Sequence, residues 1–242
     1  MTAGVQHLAV ALLLGCALGS ARADVIDDFE DGDYTSNPVW FVSNDIGSDA
    51  FVQDLLDPTN TSLAMHGTDG GHRRIATETG LAWSEFFYAI DYRADGVHQA
   101  DFQLLSNLPN DTVPSLTVRW TRTDTTSAIV LREDDIDLLT ISLDYSTSDD
   151  WTTIAISHDP GTHAVSLTLS DAVTGDIIAH GSVMFDADFA TAGNIRYVSI
   201  GAQETGWQYF DNIRLQTVPA PGFGGLAAAG CLGFGARRVR RS

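Results

Sequence analysis

"WTTIAISHDPGTHAVSLTLSD" runs from Trp151 to Asp171, and its reading decides the fold class. In the second half Val165, Leu167 and Leu169 alternate with Ser166, Thr168 and Ser170, so one face is apolar and the other hydroxylated. A period of two belongs to a half-buried strand; a helix would space its apolar residues three and four apart. Trp151–Ser157 reads as a preceding strand. Asp159-Pro160-Gly161-Thr162 between them is a turn: proline presets a backbone dihedral, glycine relaxes the steric limits, and an aspartate can bond back to the chain. The stretch is therefore an antiparallel hairpin.

Working outward, strand-like segments recur at Val25–Phe29, Ala50–Gln53, Ser62–His66, Trp83–Tyr92, Asp101–Leu105, Leu116–Thr121, Ala128–Leu131, Leu138–Leu143, Ile177–Val183, Arg196–Ile200 and Gln208–Leu215. No stretch between them sustains a helical period or leaves room for crossover helices. Residues 24–216 are expected to form one all-β domain, an antiparallel jelly-roll β-sandwich, with no internal linker or repeat.

Charge narrows the partners. The 13 basic residues are all arginine, and residues 24–217 hold all 32 acids against eight arginines, a formal charge of −24. Such a field repels nucleic acid and anionic lipid, and suits a salty medium or the binding of cations. Cys16 and Cys231 both lie outside 24–216, so the domain has no disulfide framework, thiolate nucleophile or zinc–cysteine site.

Both ends read as addresses. An apolar run from Leu8 to Leu18 ends in small residues, and Ala21-Arg22-Ala23 fits signal-peptidase cleavage after Ala23, making 1–23 a signal peptide with a helical apolar segment. A lipoprotein reading through Leu13-Leu14-Gly15-Cys16 is the alternative. The tail, 217–242, has three parts. Val218-Pro219-Ala220-Pro221-Gly222 breaks the sheet, Phe223–Ala236 is apolar but shorter than the roughly 20 residues of a comfortable membrane span, and Arg237, Arg238, Arg240 and Arg241 supply a positive-inside signal. This order resembles the PEP-CTERM sorting signal of Gram-negative bacteria, with Ala220 in place of the usual acid. The resemblance implies a short membrane helix, recognition by an exosortase-type membrane protease, and delivery to the cell surface or extracellular matrix. A plain C-terminal anchor would give the same topology.

A second resemblance covers the domain. "DDFEDGD" (Asp27–Asp33) followed by Trp40, "AFVQDLLDPTNTSLAMHG" (Ala50–Gly67), the Trp151–Asp171 hairpin and "YFDNIRL" (Tyr209–Leu215) occur in the order of LamG-like, concanavalin A-like lectin and glucanase jelly rolls. Relatives of this kind bind carbohydrate, bind protein or hydrolyse glucans, and fold alone does not choose among these. The resemblance also implies a structural calcium ion where first and last strands lie side by side. Alternation along the last strand puts Asp211 on the face of Ile213 and Leu215, so it should be buried and need a partner. Glu30 and carbonyls near Gly71 are expected to complete an oxygen shell; a turn cap, or pairing with Arg73 or Arg74, is the alternative.

The enzyme candidate is Glu133, Asp135 and Asp137, whose spacing in one strand would set a nucleophile and an acid/base on one face, as in retaining glucanases. The run also fits a solvated hairpin turn between two apolar strands. No two of His66, His72, His98, His158, His163 and His180 have zinc-site spacing, so loop or surface roles are expected for them. Trp83, Trp120 and Trp207 fit either the core or a sugar-stacking platform. Asp69-Gly70-Gly71 reads as a turn, since no phosphate-loop lysine follows. The expectation is an exported, non-enzymatic surface module that contacts polysaccharide; a glycan hydrolase and a purely structural matrix protein are the alternatives.

Overall fold

The computed structural model describes residues 24–34, 38–53, 59–68, 71–83, 86–106, 115–134, 136–144, 150–159, 161–184, 194–203 and 206–216. The segments expected to be a signal peptide and a sorting tail, with Ala21, Ala23, Val218–Gly222 and the four terminal arginines, lie outside them, as does Asp135. Every regular element among the described residues is a strand: β1 (Asp24–Asp27), β2 (Phe41–Asp45), β3 (Ser48–Gln53), β4 (Thr61–His66), β5 (His72–Ala82), β6 (Phe87–Ala94), β7 (His98–Leu105), β8 (Ser115–Arg122), β9 (Ser127–Glu133), β10 (Ile136–Leu143), β11 (Thr152–Asp159), β12 (Ala164–Asp171), β13 (Ile177–Met184), β14 (Asn194–Gln203) and β15 (Gln208–Gln216).

The strands form two antiparallel sheets. One runs β13-β12-β11-β6-β15-β4-β3, with β1 also on β15; the other runs β10-β9-β8-β7-β14-β5-β2. The expected β11–β12 hairpin is present, with Ile154 opposite Leu169 and Ile156 opposite Leu167. Asp159 closes its turn by accepting from the Gly161 N–H and the Thr162 hydroxyl, both at 2.8 Å. Two strands fall outside the sequence reading, β2 and the eleven-residue β5.

Inward-facing residues of both sheets meet in one core. At its centre Tyr92 packs against Phe102, Trp120 and Phe210 with ring centroids 5.1–5.5 Å apart, a spacing that adds to area burial. Trp83, Trp120 and Trp40 are buried, and each indole N–H finds an oxygen: Ser106 Oγ at 2.6 Å, Ser127 Oγ at 3.0 Å and Asp27 Oδ2 at 2.6 Å. Contrary to the surface role expected of the histidines, His98 and His158 are buried. His98 lies edge-on to Tyr92 and Trp120, and His158 stacks on Phe86 at an interplanar angle of 20°. An imidazole has a flat apolar body that packs among aromatic rings.

Candidate functional site

First and last strands do lie together, and their junction makes a notch. β15 pairs with β4 through residues 208–210 and with β1 through residues 213–215, so β4 and β1 share one flank of β15 end to end. Between them, opposite neither, stand Asp211 and Asn212. Asn212 has φ +48° and the β15–β6 register slips between Asp211 and Arg214, which marks a β-bulge. The bulge resets the alternation: Phe210, Ile213 and Leu215 all belong to the core. The expectation that Asp211 shares the face of Ile213 and Leu215 is thereby corrected. Asp211 lies opposite Asp91, on the side of the strand away from the core.

The notch is nonetheless buried, with Asp211 only 3% exposed. Its carboxylate accepts from Asn60 Nδ2 at 3.1 Å and from the Asn212 N–H at 2.7 Å. Glu30 reaches the same place, accepting from the Thr61 N–H at 3.3 Å. Burial pushes Asp211 up to about 8, against the pull of the Asn60 bond and with Asp91 and Glu30 adding like charge. Nearby Asp27 holds the Trp40 indole and the Phe29 N–H, and burial raises it to about 6. Arg73 pairs with Asp49 and Arg74 with Asp101, so neither is the partner of Asp211.

Glu30, Asp211 and Asn60 offer hard oxygen donors in a setting of excess negative charge, which suits calcium. Among the described residues, however, no group of three or more His, Cys, Asp or Glu is arranged to hold a metal. Gly71 is not brought to the notch. It adjoins Gly67, whereas Asp211 follows Phe210, which lies opposite Leu63. Four residues of extended chain, about 13 Å, separate those levels.

A second constellation covers the outer face of the seven-stranded sheet. Register aligns its residues into rungs. One rung reads Val130, Arg119, Asp101, Gly201, Arg74 from β9 to β5, and the next reads Arg132, Thr117, Gln103, Ser199, Ala76. A third joins Thr121, Gln99, Gln203 and His72. Asp101 is the hub. It accepts from Arg119 Nε at 2.7 Å on Oδ1 and from Arg119 Nη2 at 3.1 Å on Oδ2, and Arg74 Nη2 stands 3.5 Å from that same Oδ2. Gly201 makes this possible, since a Cβ there would stand 3.3 Å from Arg74 Nε. Gln103 Nε2 donates to Thr117 Oγ1 at 3.2 Å, while the buried Gln103 Oε1 and Arg74 Nε have no hydrogen-bond partner among the described residues. The face thus carries a fixed array of forked donors, amides and hydroxyls on rigid strands, with Asp101, Gln103, Thr117 and Ser199 buried and the Arg119 side chain, 31% exposed, reaching the surface.

No protein-family model matches the chain, and no curated protein matches it. Solved structures do. The exoplasmic/lumenal domain of VIP36 in a Ca2+- and Man2-bound form gives a TM-score of 0.53 at 9% identity, covering 83% of this chain and 89% of that one. The basic winged bean lectin with Tn-antigen gives 0.51 at 11% identity, covering 73% and 91%. Arcelin-5, a lectin-like defence protein from Phaseolus vulgaris, gives 0.51 at 11%, covering 74% and 98%. The fold is the concanavalin A-like jelly roll.

On this lectin-like frame the remaining sequence candidates fall as follows. Glu133 ends β9 and Asp137 lies on β10, so the two flank a hairpin rather than sharing a strand face. Asp134 makes the turn at φ +52°, accepting from the Ser115 N–H at 2.8 Å, and Asp137 pairs with Arg132 at 2.7 Å. Trp83 and Trp120 are core residues, whereas Trp207 is 37% exposed and meets His66 edge-on at 4.5 Å. The polar rungs were not read from the sequence. A lone glycine in an apolar strand, Gly201, was the available signal of a close approach over the sheet.

Proposed function

We propose that this chain is an exported, surface-displayed lectin-like module that binds polysaccharide through the polar face of its seven-stranded sheet. The observation that carries the reading is the Arg119–Asp101–Arg74 rung, flanked by Gln99, Gln103 and Thr117. Fixed guanidinium and amide groups on strands suit recognition of sugar hydroxyls and carboxylates. The lectin-like fold supports it, since the winged bean lectin and VIP36 were solved with sugars. Binding is favoured over hydrolysis because glycoside hydrolysis uses a pair of carboxyl groups about 5–9.5 Å apart, and the central rung offers one, engaged by two arginines. Calcium held at Glu30 and Asp211 is a structural part of the same proposal, as is sorting of the tail by an exosortase-type protease.

A glycan array probed with the full chain tests the reading. Arg119→Lys keeps the charge but loses the fork. It is expected to weaken binding about tenfold or more while the unfolding midpoint stays within a few degrees. An array with no ligand, or undiminished affinity in the variant, would sink it. The sorting signal has its own check: intact-mass measurement of protein released from cells should lack Phe223–Ser242. Arg241 in the released material would rule out processing.

A further inference from the structure

The turn from β2 into β3 brings a serine and a histidine together at one end of the sandwich. Ser48 and His66 stand directly opposite each other on β3 and β4. Ser48 is exposed, and its Oγ lies 2.6 Å from His66 Nε2. The other ring nitrogen, Nδ1, lies 2.7 Å from the Gly67 carbonyl oxygen. A carbonyl can only accept, so Nδ1 carries the hydrogen. In the neutral ring Nε2 then holds a lone pair, and the Ser48 hydroxyl donates to it. Such a pairing activates a hydroxyl: a base against a nucleophile, with a third group fixing the base. Trp207 braces the imidazole from the side, edge-on at 4.5 Å.

The backbone around the pair is built by close approach. Gly47, just before Ser48, has φ +135°, and a Cβ on it would overlap the His66 carbonyl oxygen. Glycine alone lets β3 begin there. Gly67 is wedged as tightly: its Cβ would overlap the Gly71 carbonyl oxygen and stand 2.9 Å from Gln203 Cα. The residue whose carbonyl fixes His66 is thus held against β14, and the pair borders the polar face at the rung that joins Gln99 to Gln203. Ile46 and Trp207, 49% and 37% exposed, add apolar surface at the same end.

We propose that Ser48 and His66 are a nucleophile and base that hydrolyse carboxylic esters, those of O-acyl groups on a polysaccharide. The sugar half of that substrate rests on the polysaccharide reading above; the ester chemistry rests on the pair alone. Ser48 Oγ attacks the acyl carbon as its proton passes to His66 Nε2. The bond from that carbon to the ester oxygen breaks, and the leaving alcohol takes the proton from His66. A water then gives a proton to Nε2 while its oxygen attacks the acyl carbon on Ser48. The bond to Ser48 Oγ breaks, the carboxylic acid departs, and Oγ recovers a proton from His66. An ester suits the pair because one nucleophile and one base suffice, whereas a glycosidic bond calls for two carboxyl groups.

The full chain treated with an alkyl fluorophosphonate is expected to gain a phosphonyl group that peptide mass mapping places on Ser48. Ser48→Ala should lose the label and slow hydrolysis of 4-nitrophenyl acetate about tenfold or more. His66→Gln, which keeps a polar side chain but no base, should slow labelling about a hundredfold or more while the unfolding midpoint stays within a few degrees. O-acetylated xylan should release acetate with the wild type and not with Ser48→Ala. No label, a label on another residue, or equal turnover of 4-nitrophenyl acetate by Ser48→Ala overturns the pair, whatever a glycan array shows. Hydrolysis of the aryl ester without acetate from the xylan overturns the sugar ester as substrate. Ligands on the glycan array with Ser48 unlabelled sink this proposal and leave the polysaccharide reading standing.

Discussion

Asp101→Ala is expected to lower the unfolding free energy by about 3–5 kcal/mol, the cost of breaking a buried ion pair from one side. Asp101 lies mid-strand in β7, 1% exposed, with Arg119 and Arg74 on its two oxygens. Burial lowers the Arg74 pKa, the Asp101 charge opposes that effect, and the Arg119 charge adds to it. Removing the carboxylate leaves two guanidiniums facing each other over Gly201, one with a buried Nε that already lacks an acceptor among the described residues. Replacing all three by apolar residues of similar volume should be nearly neutral, because no charge is then left unpaired. Chemical denaturation of Asp101→Ala, Arg74→Met and their double variant reads the coupling directly. A loss below about 1 kcal/mol in Asp101→Ala would mean that water already carries the charge, and that the rung is not a rigid array.

The same rung shows where the sequence stops being legible. The β11–β12 hairpin could be read because every signal is local: alternation at Val165–Leu169, a turn at Asp159–Thr162. β5 could not. Its apolar residues are few, Ile75, Ala76, Leu81 and Ala82, and two arginines stand near its start. Those arginines make sense only through Asp49 and Asp101, which other strands supply. Arg119, Asp101, Gly201 and Arg74 come from four strands, and pairing register alone makes them neighbours. Parity along β15 failed for a related reason. Strict alternation assumes an unbroken ladder, and one asparagine in the left-handed region lets Phe210 and Ile213 both face the core. Asp211 was nonetheless found buried, because the bulge that turns it from the core delivers it into the notch between β1 and β4. Glu30 and the Gly71 carbonyls were both expected beside Asp211 from the resemblance; the fold brings Glu30 to the notch and leaves Gly71 away from it.

Calcium is expected to raise the unfolding midpoint at pH 8, and Asp211→Asn to abolish that response. The sign follows from burial. Asp211 is raised to about 8 in the folded protein, from an ordinary carboxylate value in the unfolded chain. Below about pH 4 both states hold the proton and the contribution is fully present. Between pH 4 and 8 the unfolded chain releases its proton while the folded protein keeps it, so stability falls as pH rises through that window. Each unit of difference is worth about 1.4 kcal/mol, so the loss reaches several kcal/mol by pH 8 in chelator. A cation on the ionised carboxylate replaces the proton and flattens that slope. At a hundred times its dissociation constant it adds about 2.7 kcal/mol. In Asp211→Asn the amide cannot ionise, so the variant in chelator should be more stable than wild type at pH 8 and indifferent to calcium. Melting each protein at pH 5 and pH 8, with chelator and with millimolar calcium, separates the cases. A wild-type midpoint at pH 8 that calcium leaves unchanged would remove the ion from the notch, and Asp211 would then be a buried acid held by Asn60 and the Asn212 N–H.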